Sequence, residues 1–600
     1  MLKDLRELYG LLTRKQRKRL ARLQVLIIVM AFAEIASVLS IGPFMAVVGD
    51  MSRLEGEGRL AWVYQASGLP SPEAFLTLLG VMVLAILLLA ALFAMYTTWR
   101  LSLYSAQVGA ELSSRLYRYY LHQPWLFHSG VNTSRLISKV SQEVQRTTSK
   151  IINPCMHLNA KLVMVSLMTV GIFVYNPVVA LSGVLIFTAA YLLLYKTVRR
   201  FLIANGRRVS KAQAKRFKLM TEGFGGIKDL LFLHRQKSFT SRFDNASNSV
   251  ARGMGVTQGL SDAPRYAIEL VAFASVILLV LYLLNLYEGN LGAILPALSI
   301  YALAGFKMLP AFQRIYSSIS QIRGNLAAYE AIREDLLASH ASELADAVPP
   351  DEQVTPLVPE RTIVLQDVVF DYPGKKDLAL DGLTLTIPAN QMVGLVGASG
   401  SGKSTAVDLL LGLIQPQQGQ VLIDDVPLTQ ENLHCWQAGV GFVPQQIFLA
   451  DASVLENVAF GIERFRIDEE RVREALRMAQ LDDLIDKLPH GIEERIGERG
   501  VQLSGGQRQR IGIARALYQQ ARVLVLDEAT SALDGITERR VMDDIQRLAG
   551  NMTIVLVAHR LTTVKDCDII YMIEAGQVTD SGTYQELAER NVTFQLMANL

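Results

Sequence analysis

Six apolar stretches crowd the first half of this 600-residue chain, at residues 25–48, 74–98, 162–175, 178–195, 268–286 and 291–309. Most approach or exceed the roughly 20 residues that a helix needs to cross a bilayer. The third is short, and the weaker stretch 151–161 lengthens it. Six such runs in series, with no soluble-domain pattern between them, point to an all-α transmembrane domain of six helices, and they explain why apolar residues reach 50% of the chain.

Lysine and arginine orient these helices. The N-terminal arm carries Lys3, Arg6, Arg14, Lys15, Arg17, Lys18, Arg19 and Arg22, whereas the loop at residues 50–73 is acidic on balance. A second basic segment, from Arg199 to Lys218, follows the fourth stretch, and the turns at residues 175–178 and 287–291 hold no cation. The N-terminus is therefore cytoplasmic, and an even number of crossings leaves the second half of the chain there too. The apolar run behind the basic arm is too long for a signal peptide and lacks a small-residue cleavage site. The formal net charge of +3 is distributed by topology and gives no reason to invoke nucleic acid. Cys155, Cys435 and Cys567 lie far apart without metal-like spacing, which predicts reduced thiols.

The second half opens its chemistry with Gly397-Ala398-Ser399-Gly400-Ser401-Gly402-Lys403-Ser404-Thr405, directly after an apolar strand at residues 392–396. Glycines let backbone N–H groups turn inward around phosphates, Lys403 supplies a cation for the β and γ oxygens, and the Ser404 hydroxyl is placed for Mg²⁺. A helix from Ser404 onward points its positive end at the same anion. Downstream come Leu503-Ser504-Gly505-Gly506-Gln507, an apolar strand ending in Asp527-Glu528, then Ser531-Ala532-Leu533-Asp534, and His559.

Five motifs in this order resemble an ATP-binding cassette domain of the α/β P-loop class, over residues 361–600. The resemblance implies ATP and Mg²⁺ as cofactors, with the metal held by Ser404, Gln445 and Asp527, partly through water. It implies that Glu528 polarises the attacking water, with His559 as a γ-phosphate switch and Gln445, after Val443-Pro444, reaching both the metal and the membrane domain. Tyr372, before Pro373, stands where the family stacks an aromatic ring on adenine. Phosphoryl transfer asks mainly for positioning and charge neutralisation, which these residue types supply.

Residues 339–360 lose the apolar pattern and gather acids with Pro349, Pro350, Pro356 and Pro359, so they read as a linker between a transmembrane domain at 1–338 and the cassette. One phosphate loop per chain has a consequence, because the family builds its site across a dimer. Ser504, Gly505, Gly506 and Gln507 would face the nucleotide held by the opposite subunit, with Asp534 completing the site, which implies a homodimer of type IV exporter half-transporters in a bacterial inner membrane. The breaks at His122-Gln123-Pro124-Trp125 and Gly223-Phe224-Gly225-Gly226 correspond to the family's coupling helices, expected near residues 125–128 and 221–227. Arg495 stands where the exporter pattern usually has a glutamate.

For the cargo, Gly226-Ile227-Lys228-Asp229, Ala263-Pro264-Arg265-Tyr266 and Lys307-Met308-Leu309-Pro310 are similar to bacterial flippases of lipid-linked oligosaccharides. That similarity implies a polyprenyl-pyrophosphate saccharide moved to the outer leaflet, with Arg265, Lys307 and Arg314 collecting the anionic head. Lysine and arginine near helix ends also snorkel to the interface without any ligand, and Arg265 with Glu269 has the spacing of an ion pair. The rival reading is a multidrug or general lipid exporter with the same motor. Glu34, inside the first stretch, should face a cavity or a cation, since an unpaired charge there costs roughly 2.5–3.5 kcal/mol.

Overall fold

The computed structural model describes residues 2–54, 58–175, 177–286, 291–341, 354–375, 377–497, 503–528, 552–558 and 560–598, with Gly500, Glu538, Arg540, Met542 and Asp543. It divides into two compact units, residues 1–123 with 128–347, and Pro124–Phe127 with Val348–Leu600.

The first unit is helical. Among the described residues four helical runs are long and apolar enough to cross a membrane: Arg14–Gly49, Pro72–Leu121, Thr133–Val174 and Gln236–Tyr282. Six were expected. The other two stretches, residues 178–195 and 291–309, fall on the helices Pro177–Gly225 and Leu291–Ala341, where part of the side-chain placement lies outside the described residues.

Local chemistry explains the irregularities of these helices. Thr13 caps the helix Arg14–Leu39 through a reciprocal capping box with Gln16. The helix then breaks at Ser40, ahead of the helix Ile41–Gly49; Pro43 has no N–H to give back to Leu39. The break expected at Gly223-Phe224-Gly225-Gly226 falls at Gly226, between the helices Pro177–Gly225 and Ile227–Phe232, so the short helix expected near residues 221–227 lies later, at Ile227–Phe232. The short helix expected near residues 125–128 is Trp125–Gly130.

Two three-helix layers organise the interior of this unit. Ala31, Met164 and Ala311 pack together in one, and Val38, Met168 and Ala304 in the other. The layers therefore join the helices Arg14–Leu39, Asn153–Tyr175 and Leu291–Ala341.

The second unit carries two sheets. Strands β1 (Thr362–Phe370), β2 (Leu380–Pro388), β4 (Gln418–Ile423) and β5 (Val426–Pro427) form an antiparallel sheet in the order β2-β1-β4-β5. The other sheet contains β3 (Met392–Val396), β6 (Val440–Val443), β7 (Val523–Asp527), β8 (Thr553–Val557), β9 (Ile569–Glu574) and β10 (Gln577–Gly582), ordered β10-β9-β3-β8-β7-β6. Its pairs from β9 to β6 are parallel. Every residue of β3 and β8 is buried, as a strand covered on both faces requires. Within this unit Leu126 packs beside the core of β-strand residues and Trp436.

Candidate ATP site

Sheet order gathers the motif residues. The phosphate loop leaves the end of β3, Asp527 and Glu528 stand at the end of β7, and Gln445 follows β6, so all emerge from the carboxyl edge of neighbouring parallel strands. That edge is where open α/β sheets take their ligands.

Backbone geometry shapes the loop. Gly402, with φ of 108°, caps the helix Lys403–Leu410, and a Cβ there would meet the Ala379 carbonyl at 2.7 Å. At Gly397 a Cβ would lie 2.2 Å from the Ile573 carbonyl. No side chain fits at either point. Lys403 is buried and its Nζ donates to the carbonyls of Gly397 and Ala398, each at 2.8 Å. Burial pulls its pKa down, while the charges of Glu528 and Asp527 act the other way. Ser404 and Ser399 are both exposed.

Thr405 is tied to the ring expected over adenine: the Tyr372 hydroxyl lies 3.2 Å from Thr405 Oγ1. Phe370 meets the Tyr372 ring edge-on at 5.2 Å, and Lys375 Nζ stands 5.4 Å from its centroid. Gln445 Nε2 donates to Glu528 Oε2 at 2.7 Å. Glu528 itself has φ of 52°, a left-handed backbone uncommon outside glycine, and its N–H is held by the Val557 carbonyl at 3.0 Å. Ser504 begins the helix Gly505–Tyr518 and shares a capping box with Gln507. Gln509, on that helix, reaches the Glu528 carbonyl at 3.5 Å. Asp534 and His559 lie outside the described residues.

An inward-turned glycine loop, a buried ammonium, an exposed serine hydroxyl and two carboxylates fit a magnesium nucleotide. Asp408, one turn into the loop's helix, carries no motif that marks it in the sequence. Burial, helped by the charge of Asp527, pushes its carboxyl up to about 6.

The family model for the ABC transporter transmembrane region matches residues 23–306, and that for the ABC transporter matches residues 380–531. Together they span well over half of the sequence. The chain belongs to the ABC transporters. With one membrane region and one cassette it is an ABC half-transporter, and the cassette works with ATP and Mg²⁺ as an ATP-hydrolysing translocase. Its topology is that of multi-pass bacterial inner-membrane ABC transporters with a cytoplasmic ATPase domain.

Among curated relatives, the ATP-dependent lipid A-core flippase of Alkalilimnicola ehrlichii is 33% identical over 64% of this chain and 64% of its own, just under two thirds of that relative. The ATP-dependent lipid A-core flippase of Pseudoalteromonas atlantica is 29% identical over 88% of each chain. A solved structure of a bacterial Atm1-family ABC exporter with ATP bound superposes with a TM-score of 0.77 over 97% of both chains at 21% identity, so this transporter has the same fold.

The membrane residues singled out for cargo all have defined surroundings. Arg265 Nε donates to Glu269 Oε1 at 2.6 Å, and Gln313 Nε2 reaches the same oxygen at 3.2 Å. Lys307 donates to Glu34, which is buried. That answers the demand for a cation at Glu34. Arg314 is exposed and, among the described residues, in no ion pair.

Proposed function

We propose that this ABC transporter is an ATP-driven lipid exporter, carrying an amphipathic lipid with an anionic head from the cytoplasmic to the outer leaflet as a homodimer with six spans per chain. The observation that carries this reading is the likeness to lipid A-core flippases, which reaches 88% of the chain. A cation on its last membrane helix supports it: Arg314, exposed and in no ion pair among the described residues, gives an anion a compensated path through an apolar layer. Lys307 and Arg265 add less, since Glu34 and Glu269 already hold them. The relatives favour a general lipid exporter over the oligosaccharide-linked polyprenyl pyrophosphate, which is the narrower form of the same reading.

Within the cassette we assign nucleotide binding to Tyr372, Gly397, Ser399, Gly400, Gly402, Lys403, Ser404 and Thr405. Mg²⁺ falls to Ser404, Gln445 and Asp527, and activation of water to Glu528, with His559 and Asp534 completing the set. Ser504, Gly505, Gly506 and Gln507 serve the partner's nucleotide, so the N–H groups opening the helix Gly505–Tyr518 meet a phosphate. The domains are taken as 1–338 for the membrane part and 361–600 for the cassette, joined by the linker.

ATPase activity measured in nanodiscs with single added lipids tests the cargo class. Stimulation by anionic glycolipids and none by neutral amphiphiles supports the reading. Equal stimulation by diverse neutral amphiphiles would favour a multidrug exporter.

A further inference from the structure

Glu528 stands just past β7 with φ of 52°, a left-handed backbone that a residue with a side chain keeps only where its neighbours hold it. Its N–H is fixed by the Val557 carbonyl of β8 at 3.0 Å, and its carboxylate by Gln445 Nε2 at 2.7 Å. A further attachment holds its carbonyl, which accepts from Gln509 Nε2 at 3.5 Å.

Gln509 is 5% exposed and lies on the helix Gly505–Tyr518 among the buried residues Ile511, Gly512, Ile513 and Ala516. An amide buried at that depth is costly unless it is hydrogen bonded, so packing alone would favour an apolar side chain of the same size. At 3.5 Å the bond is long, and its worth depends on the helix staying where it is. Close packing supplies that. A Cβ on Gly512 would lie 2.2 Å from Ile447 Cδ1, and Arg515 donates from Nε to the Asn457 carbonyl at 2.9 Å and from Nη2 to the Phe448 carbonyl at 3.1 Å. The helix is thus clamped to the segment that follows Gln445, and the two glutamines grip the carboxylate and the carbonyl of one residue.

We propose that Gln509 is a positioning residue for the hydrolytic base: by holding the Glu528 carbonyl it keeps the peptide after β7 turned so that the carboxylate faces the water to be activated. This rests on the assignment of activation to Glu528. In the same reading the helix that carries Gln509 opens, at Ser504, on the partner's nucleotide. The base of each site is then steadied by the helix that serves the other site. Gln509 acts on the Glu528 of its own chain, not on the nucleotide that its helix faces.

ATP turnover by the purified full-length transporter tests this. Gln509→Leu removes the donor, and kcat should fall about tenfold, the scale of one hydrogen bond, while the affinity for a fluorescent ATP analogue stays near that of the wild type. Gln509→Glu adds a readout that lost packing cannot produce. Protonated, the introduced carboxyl still donates to the Glu528 carbonyl; ionised, it cannot. Burial and the Glu528 charge raise its pKa, so its activity relative to the wild type should be near normal at low pH and fall as pH rises, with melting temperature recorded at each pH. Mixed dimers locate the effect. With Lys403→Ala on one chain a single intact phosphate loop remains, and Gln509→Leu should cost about tenfold on the chain that has that loop and clearly less on the Lys403→Ala chain. An equal or larger loss on the Lys403→Ala chain would overturn the proposal and assign Gln509 to the partner's nucleotide. A wild-type kcat in Gln509→Leu, or a Gln509→Glu profile parallel to the wild type, would overturn it as well. Where Gln509→Leu fails to fold, or one intact loop supports no turnover, the Gln509→Glu profile decides. If Glu528→Gln itself turns over normally, the base assignment falls first; if Glu528→Gln is inactive and both Gln509 variants match the wild type, only this inference falls.

Discussion

Gln445 donates from Nε2 to Glu528 Oε2 at 2.7 Å, which joins the residue after β6 to the carboxylate at the end of β7. The pair fixes the orientation of a carboxylate whose backbone already sits in the left-handed region, at φ of 52°. A side chain constrained in this way suits a group that must point one oxygen at a water.

Glu528→Gln keeps the shape and removes the base. Steady-state ATP hydrolysis should fall by about 10²–10⁴-fold, while ATP binding, followed with a fluorescent nucleotide, persists. Near-normal turnover would move the base elsewhere.

Ser504 gives the dimer its test. Chains carrying Lys403→Ala or Ser504→Arg alone should be inactive, but mixing them should recover ATPase activity from the composite site that has neither change. Ser504→Arg also removes the helix cap shared with Gln507, at about 1 kcal/mol. Thermal melting of each parent must therefore accompany the assay. Mixed dimers no more active than their parents would count against the shared site, or show that both sites must fire.

Gly397→Ala places a Cβ 2.2 Å from the Ile573 carbonyl, where φ is already 151°. Backbone of this kind costs about 1–3 kcal/mol when forced on another residue. The melting temperature of the full transporter should drop by several degrees and ATP protection should be lost. A melt like that of the wild type would mean the loop relaxes freely.

Asp408 predicts a pH dependence with a definite sign. Folding lifts its pKa from 3.8 to about 6, mainly by burial. Its charge therefore opposes folding above pH 6, and the penalty fades as pH falls through 6 towards 4. Asp408→Asn should raise the melting temperature at pH 8, with a ceiling of a few kcal/mol at about 1.4 kcal/mol per unit, and should make no difference near pH 4. An equal shift at both pH values would assign the effect to packing.

Legibility in the sequence followed distance along the chain. The phosphate loop was readable because its chemistry lies within nine consecutive residues, and the strand before it because every position of β3 is apolar or glycine. Glu34 announced its need for a cation through its apolar surroundings, but the partner, Lys307, lies 273 residues away and only packing brings it near. Three glycines in four residues marked the breaking region at residues 223–226, and the last helical hydrogen bond, from the Gly226 N–H to the Glu222 carbonyl, decides its residue; what the sequence misplaced is the short helix, which follows the glycines at Ile227–Phe232.

The central claim, that ATP hydrolysis here moves an anionic lipid, is tested most directly in proteoliposomes. A labelled anionic glycolipid, placed in the leaflet that faces the cassettes, is followed to the opposite leaflet after ATP is added. The account predicts ATP-dependent transfer by the wild type and none by Glu528→Gln. Brisk ATP hydrolysis with no transfer above that of Glu528→Gln would contradict it.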